Sequence, residues 1–296
     1  MLAHYLRRIL LTLLSLDLVL AYLLWHYAHW SPGSVAALAL LLPPICVLAV
    51  VGCTAFLSRA GGSTGLWWRS LWGEYLATLR IFVLRQPWSA AQPVNPSTAG
   101  STRIPVVLVH GYLCNGRIWD TMAQSLRAQG HAVHTVDLEP VFGSIDDYAA
   151  IVEAAVATLC QQTGAPRVAL VGHSMGGLAI RAWLRAHGPR RAARVLTLGT
   201  PHAGTRIAAH SQTPNGRQMV WHSPWLADLA ASESDAVRAL LRVAITLQDN
   251  IVYPQRAQSL EGVTPTVFEG IGHLQMCLDA QVIHWVAGQL TDLPAR

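Results

Sequence analysis

The sequence predicts an α/β fold, a mostly parallel sheet of about six strands preceded by two transmembrane helices. Three observations carry this. From Arg103 onward, short apolar runs alternate with helical stretches, the pattern of βαβ units. Before residue 60 stand two apolar runs long enough to cross a bilayer. Between a strand pattern and a helix pattern lies Gly172-His173-Ser174-Met175-Gly176, a G-x-S-x-G sequence in strand–turn–helix context.

The first apolar run is Ile9–Trp25, interrupted by Asp17, which is expected to face the partner helix or a polar defect. The second, Val35–Leu57, has no charge and reaches roughly 34 Å as a helix, with Pro43 and Pro44 predicted to kink it. Ser31–Ser34 is a short polar connector, so the two form a hairpin. A cleaved signal peptide is the rival for the first run, because Arg7 and Arg8 precede it. No small-x-small cleavage site follows closely and Trp25–Trp30 is bulky, which favours a retained span.

Charge placement orients the hairpin. All 21 basic residues are Arg. Residues 1–98 hold six of them against Asp17 and Glu74, a net +4, whereas residues 99–296 are nearly neutral at +1. Arg7 and Arg8 precede the first span, Arg59 and Arg69 follow the second, and the connector has none. The positive-inside rule puts both ends, and the large C-terminal domain, on the cytoplasmic side of the inner membrane. The near-neutral remainder excludes a nucleic-acid partner. Only 12% of residues are charged, against about 25% in an average soluble domain, and 52% are hydrophobic, which excludes disorder and fibrous classes. Five cysteines without metal-ligand spacing read as reduced thiols, in keeping with a cytoplasmic domain.

Leu66–Arg85 carries Trp68, Leu71, Trp72, Tyr75, Leu76, Leu79, Phe82 and Val83 on one helical stripe. Arg69, Gly73, Glu74, Thr78 and Arg80 lie opposite. This suits an amphipathic helix at the lipid headgroups, the alternative being a helix packed on the following domain. Pro87–Thr102 reads as a linker. The expected organisation is a hairpin over 1–60, interfacial helix and linker over 61–102, and a catalytic domain over 103–296.

In that domain, Ile104–Val109, Ala132–Val136, Val168–Val171, Val195–Leu198, Val243–Leu247 and Thr266–Phe268 are the strands. Trp119–Gln129, Asp146–Gln162 (capped by Ser144 or Asp146), Met175–Ala186 and Gln275–Leu290 are the main helices.

The G-x-S-x-G turn is tight, and Gly172 and Gly176 let strand and helix backbones pass closely. It lifts the Ser174 hydroxyl to a helix N-terminus, where the dipole favours a developing oxyanion. A serine hydroxyl needs a base oriented by a third group. His273, in Glu269-Gly270-Ile271-Gly272-His273 beyond the last strand, is the candidate base. Asp249, just after the penultimate strand, is the candidate acid. Asp228, Glu233 and Asp235 read instead as a solvated face. The oxyanion amides are assigned to Met175 and to Tyr112, with Leu113 as fallback. His110 and His173 read as backbone-ordering. His110, Leu113 and His202 are the candidate substrate-contacting residues, Cys114 is wall or core, and no metal or other cofactor is needed.

Five motifs occur in order: Val109-His110-Gly111-Tyr112, Gly172-His173-Ser174-Met175-Gly176-Gly177, Leu198-Gly199-Thr200-Pro201-His202-Ala203-Gly204-Thr205, Asp249-Asn250-Ile251-Val252 and Gly272-His273. Over residues 103–291 the chain resembles the α/β-hydrolase superfamily, in particular the small bacterial triacylglycerol lipases with a reduced six-stranded sheet. The resemblance implies an α/β-hydrolase fold, a Ser174–Asp249–His273 triad and oxyanion amides after His-Gly and after the serine. Two departures stand out: the N-terminal 100 residues, and Ile207–Leu240, a candidate cap within 207–240 containing Trp221, Pro224 and Trp225. The expected function is a membrane-anchored serine esterase or lipase acting on a lipidic or acyl ester. The alternatives are acyl transfer, thioester or amide cleavage on the same triad, or a non-catalytic membrane scaffold.

Overall fold

The computed structural model describes residues 1–88 and 103–293, so the predicted linker lies outside the described residues apart from Pro87 and Trp88. The chain opens with helix α1 (Leu2–His26) and helix α2 (Pro32–Leu57), each long and apolar enough to cross a membrane. Ser31 starts α2 by accepting the Ser34 N–H at 3.1 Å, and Pro32 takes the first turn, where a missing N–H costs nothing. The helix runs on through Pro43 and Pro44. Asp17 shares a buried face with Ala21.

Helix α3 (Thr64–Thr78) continues as a π-helical stretch, Leu79–Arg85. Its packed face is not the predicted Trp-rich stripe. Ser70, Leu71, Glu74, Ala77 and Ile81 are buried, while Trp68, Trp72 and Leu76 point outward. The predicted polar side fails because Glu74 finds backbone partners in the following domain. Leu71 packs on Val51 and Ala55 of α2, and Ile81 enters the main core.

The sheet consists of β1 (Val106–Val109), β2 (Val133–Val136), β3 (Val168–His173), β4 (Ala192–Leu198), β5 (Leu241–Thr246) and β6 (Thr266–Phe268). All pairs are parallel, in the order β2-β1-β3-β4-β5-β6. A parallel sheet is covered on both faces, which explains its near-continuous apolar strands. Along β1 the residues alternate between two cores: Val107 and Val109 join α5 (Tyr148–Thr163) and α6 (Met175–His187), whereas Val106 and Leu108 join α4 (Asp120–Ala128) and α10 (Ala280–Gly288).

The chain runs outward from β1 to β2, then returns past β1 to β3. The order therefore reverses between β1 and β3, and in open α/β sheets ligands bind at the C-terminal ends of the strands beside such a switch point. The predicted strands and main helices all occur, with boundaries shifted by a few residues. The first predicted helix opens with a 3-10 turn, Gly116–Trp119, and the last splits into a 3-10 turn, Leu274–Cys277, and α10. Helix α5 begins after Asp147 rather than after the expected Ser144 or Asp146, and without a side-chain cap.

Candidate active site

The predicted residues converge on the switch point. Val109 at the end of β1 pairs with Gly172 of β3, so the loops that follow these strands run side by side. Ser174, the residue after β3, sits at φ 55°, ψ −129°. A non-glycine residue in that region is strained, and such strain is found where surroundings over-determine a functional conformation. The conformation is held by the Ser174 N–H donating to Leu198 O at 2.9 Å, from the end of β4. Gly172 and Gly176 are there for contact: a Cβ on Gly172 would lie 2.5 Å from Gly177 N, and one on Gly176 would collide with the Val109 carbonyl.

Gly111 has the same role from the other side. A Cβ there would lie 2.7 Å from Ser174 Cβ. Its absence lets the β1 loop press against Ser174. Met175, the first residue of α6, is buried behind Ser174. Leu113 adopts φ 56° and is 37% exposed. Tyr112 packs against Phe142, with ring centroids 5.9 Å apart.

His273 and Asp249 meet on the other flank. His273 Nδ1 lies 2.8 Å from Asp249 Oδ2, and both residues are buried. Asp249 Oδ1 accepts the N–H groups of Ile251 (2.9 Å) and Val252 (2.6 Å), which fixes the carboxylate and leaves Oδ2 for the imidazole. Burial alone would lower the His273 imidazole. The Asp249 carboxylate, and after it Glu74, outweigh burial and hold it above the ordinary histidine value. Gly199, at φ 55°, accommodates the pair: a Cβ there would lie 3.1 Å from Asp249 Oδ2 and 3.2 Å from His273 Nδ1.

Two candidate substrate contacts have their ring nitrogens engaged within the protein, and for His110 this is the backbone-ordering role that the sequence also suggested. His110 accepts the Leu138 N–H at Nε2 (2.9 Å) and donates from Nδ1 to Gly111 O (2.8 Å). Both ring nitrogens are spent on backbone, so His110 holds the loop rather than a substrate. His202 lies between Arg181 (3.3 Å at Nδ1) and Thr197 (3.0 Å at Nε2), buried beneath the site. Burial first, then Arg181, keeps it well below the ordinary histidine value, hence neutral. Glu233 is not part of a solvated face either: its carboxylate pairs with the fully buried Arg181 at 2.5 Å. Burial pushes the Cys114 thiol up to about 12, which leaves it inert.

The predicted cap folds as a 3-10 turn, Arg206–Ala208, and helices α7 (Pro214–Gln218), α8 (Pro224–Ala231) and α9 (Asp235–Arg238). It is fastened to the body: Gln218 accepts the Ile145 N–H at 2.7 Å, Asn215 donates to Val141 O at 2.9 Å, and Trp225 donates to Asp146 at 2.9 Å.

Comparison with known proteins agrees with this fold. The model of the alpha/beta hydrolase fold family matches residues 104–224. The mature lipase of Bacillus licheniformis superposes with a TM-score of 0.55 at 19% identity, over 69% of this chain and 96% of that one. The chain has the α/β-hydrolase fold. Lipase B of Aspergillus fumigatus superposes on this hydrolase-fold chain with a TM-score of 0.58 at 16% identity, over 71% and 60% of the two chains. In sequence, the chain resembles bacterial lipases. It is 36% identical over 130 residues to a triacylglycerol lipase of Burkholderia plantarii, covering 40% of this chain and 36% of that protein. It is also 36% identical over 120 residues to a triacylglycerol lipase of Pseudarthrobacter phenanthrenivorans, covering 38% and 37%. The matches thus span little more than a third of these relatives' length.

Sequence reasoning missed Glu74, Asn250 and Gln255. Each ties the N-terminal helices to the loops of Asp249 and His273. The one local signal was a lone carboxylate in a Trp-rich helix.

Proposed function

We propose that this protein is a membrane-anchored serine hydrolase that cleaves carboxylic esters of lipidic acyl chains. The observation that carries the chemistry is the Asp249–His273 hydrogen bond at 2.8 Å beside a strained serine at the switch point of the sheet. Ser174 Oγ attacks the acyl carbonyl and passes its proton to His273 Nε2. Asp249 holds the other ring nitrogen and stabilises the imidazolium. The tetrahedral oxyanion accepts from the amides of Met175 and Tyr112, with the α6 N-terminus adding a favourable dipole. His273 then protonates the leaving alcohol, and water, activated by the same imidazole, releases the acid from the acyl-enzyme.

Anchoring is supported by surface. Leu13, Leu16, Leu18, Leu40, Ile45 and Val50 on α1 and α2 are all more than half exposed, a continuous apolar surface that water would penalise. The hairpin also starts and ends at the edge of the sheet that carries the site. Met1 pairs with Glu139 in the loop after β2, and Thr54 of α2 meets Asn250 beside Asp249. An acyl chain leaving the bilayer would meet the exposed side chains of Leu113 and Phe142. The positive flanks of the hairpin orient the catalytic domain toward the cytoplasm.

The test is hydrolysis of p-nitrophenyl esters from C2 to C16 by detergent-solubilised full-length protein beside Ser174→Ala. Activity on the longer chains that vanishes in the variant is expected, and a preference for C2 would remove the lipidic part of the reading. Retention in the membrane pellet after alkaline carbonate extraction is expected, and release into the supernatant would remove the anchor.

A further inference from the structure

Helix α3 lies outside residues 104–224, the stretch that the family model matches, yet it sends a carboxylate into the site. Glu74 Oε1 accepts the Leu274 N–H and Oε2 accepts the Gln275 N–H, both at 3.0 Å. These are the first two residues of the 3-10 turn that begins after His273. Glu74 is 2% exposed, and a Cβ on Gly272 would lie 2.6 Å from Glu74 Cβ, so the loop backbone at Gly272 lies directly against the Glu74 side chain.

Two further links run the same way. Thr54 Oγ1 of α2 accepts from Asn250 Nδ2 at 3.0 Å, and Asn250 Oδ1 accepts the His273 N–H at 3.4 Å. Gln255 Nε2 donates to Ser58 O at 2.9 Å, at the end of α2, and to Asp249 O at 2.8 Å. The acid loop and the base loop are thus both fastened to the N-terminal helices.

We propose that Glu74 is a positioning residue for His273, fixing the base loop through two backbone amides and acting on the imidazole through its charge. This rests on the reading of His273 as the base. It makes the N-terminal segment part of the active site, as well as an anchor.

The charges around Glu74 are few. His273 and Asp249 face it from their loops, Cys114 from the β1 loop and Cys277 from the 3-10 turn, while Arg69 of its own helix packs along Gly270. His273 in turn faces Asp249, Glu74 and His173. Burial pushes the Glu74 carboxyl up to about 7, opposed by His273 and the two amides. In return, the Glu74 charge raises His273. Above neutrality the carboxylate is ionised and favours imidazolium, the species formed when Ser174 gives up its proton.

The test is the rate at which a fluorophosphonate labels Ser174 in the full-length protein in detergent, measured across pH for wild type, Glu74→Gln and Glu74→Asp. Glu74→Gln keeps the shape, loses the charge and places an NH2 against a backbone N–H. Its labelling is expected to slow about 10- to 100-fold above neutrality, the scale of a misplaced catalytic group. Its acidic limb is expected to move to lower pH, because one of the two charges that raise His273 is gone. Glu74→Asp keeps the charge but cannot span both amides, so slower labelling with an unmoved limb is expected. Wild-type rate and limb in Glu74→Gln overturn the proposal, and so does slowing without movement of its limb, which leaves only a structural cap. Should Glu74→Gln not fold, Glu74→Asp decides, and labelling at the wild-type rate overturns the proposal. Wild-type protein that does not label at all overturns the serine-hydrolase reading on which the proposal rests.

Discussion

His173 and His273 lie ring against ring, with centroids 4.5 Å apart, and His173 Nε2 donates to the His273 carbonyl oxygen at 3.0 Å. His173 ends β3 and immediately precedes Ser174. The bond therefore joins the serine elbow to the base loop 100 residues later. His173 Nδ1 is buried without a partner, and burial keeps the ring well below the ordinary histidine value, so it is the neutral Nε2–H donor.

Replacing this clamp is predicted to hurt the chemistry more than the binding. His173→Ala removes the link between elbow and base loop while leaving Leu113 and Phe142 in place. We expect kcat to fall about 10- to 100-fold with KM changed only a few-fold. A kcat within twofold of wild type on a long-chain ester would show that the loop holds itself.

Asp249→Asn keeps the size of the side chain but replaces an acceptor at Oδ2 with an amide, so the ring loses the partner that holds Nδ1–H. The same change in the serine-protease triad drops kcat by about 10⁴, and a loss of about 10³ or more is expected here. The fold should survive, because Oδ1 can still accept from Ile251 and Val252. Circular dichroism beside the activity assay separates loss of the triad from loss of the protein.

The pH profile follows from the same pair. His273 must be neutral to accept the Ser174 proton. Since Asp249 and Glu74 hold it above the ordinary histidine value of 6.5 despite burial, activity is expected to fall as pH drops through a value above 6.5. Asp249→Asn removes the main raising group and leaves burial, so whatever activity remains should persist to lower pH. A kcat/KM limb below 6.5 in wild type would contradict the assignment of the base.

Arg181 is fully buried in α6, with its Nε on Glu233 at 2.5 Å and a second nitrogen near His202. Removing one member of a buried pair strands the other charge. Arg181→Ala is therefore predicted to cost about 3–5 kcal/mol in unfolding free energy. Glu233→Gln, which keeps an acceptor on the guanidinium, should cost less. Denaturant unfolding of both variants checks the order, and equal losses would mean that the pair is not the unit being broken.

Certain features are set locally and were legible in the chain itself. Ser174 between Gly172 and Gly176 dictates a tight turn wherever it occurs, because only glycine tolerates the approach to Gly177 and to the β1 carbonyls. The Val-rich runs of β1 and β3 declare strands covered on both faces, and the length of Val35–Leu57 declares a helix that water does not favour. The order of Ser174, Asp249 and His273 along the chain was legible for the same reason: each follows its own strand. Other features depended on which surfaces meet. His110 and His202 looked like site residues because they stand in site motifs, yet each spends both nitrogens on neighbours that no local pattern names. Glu233 looked solvated on a polar segment and is instead buried against Arg181, 52 residues away. Glu74 looked like the wet side of a surface helix, and only docking of that helix on the base loop, 200 residues on, gives its carboxylate two amides to bind. Periodicity and steric demand act within a few residues and can be read in order. A buried polar group is decided by the partner that reaches it, and that partner is found only when the chain has folded.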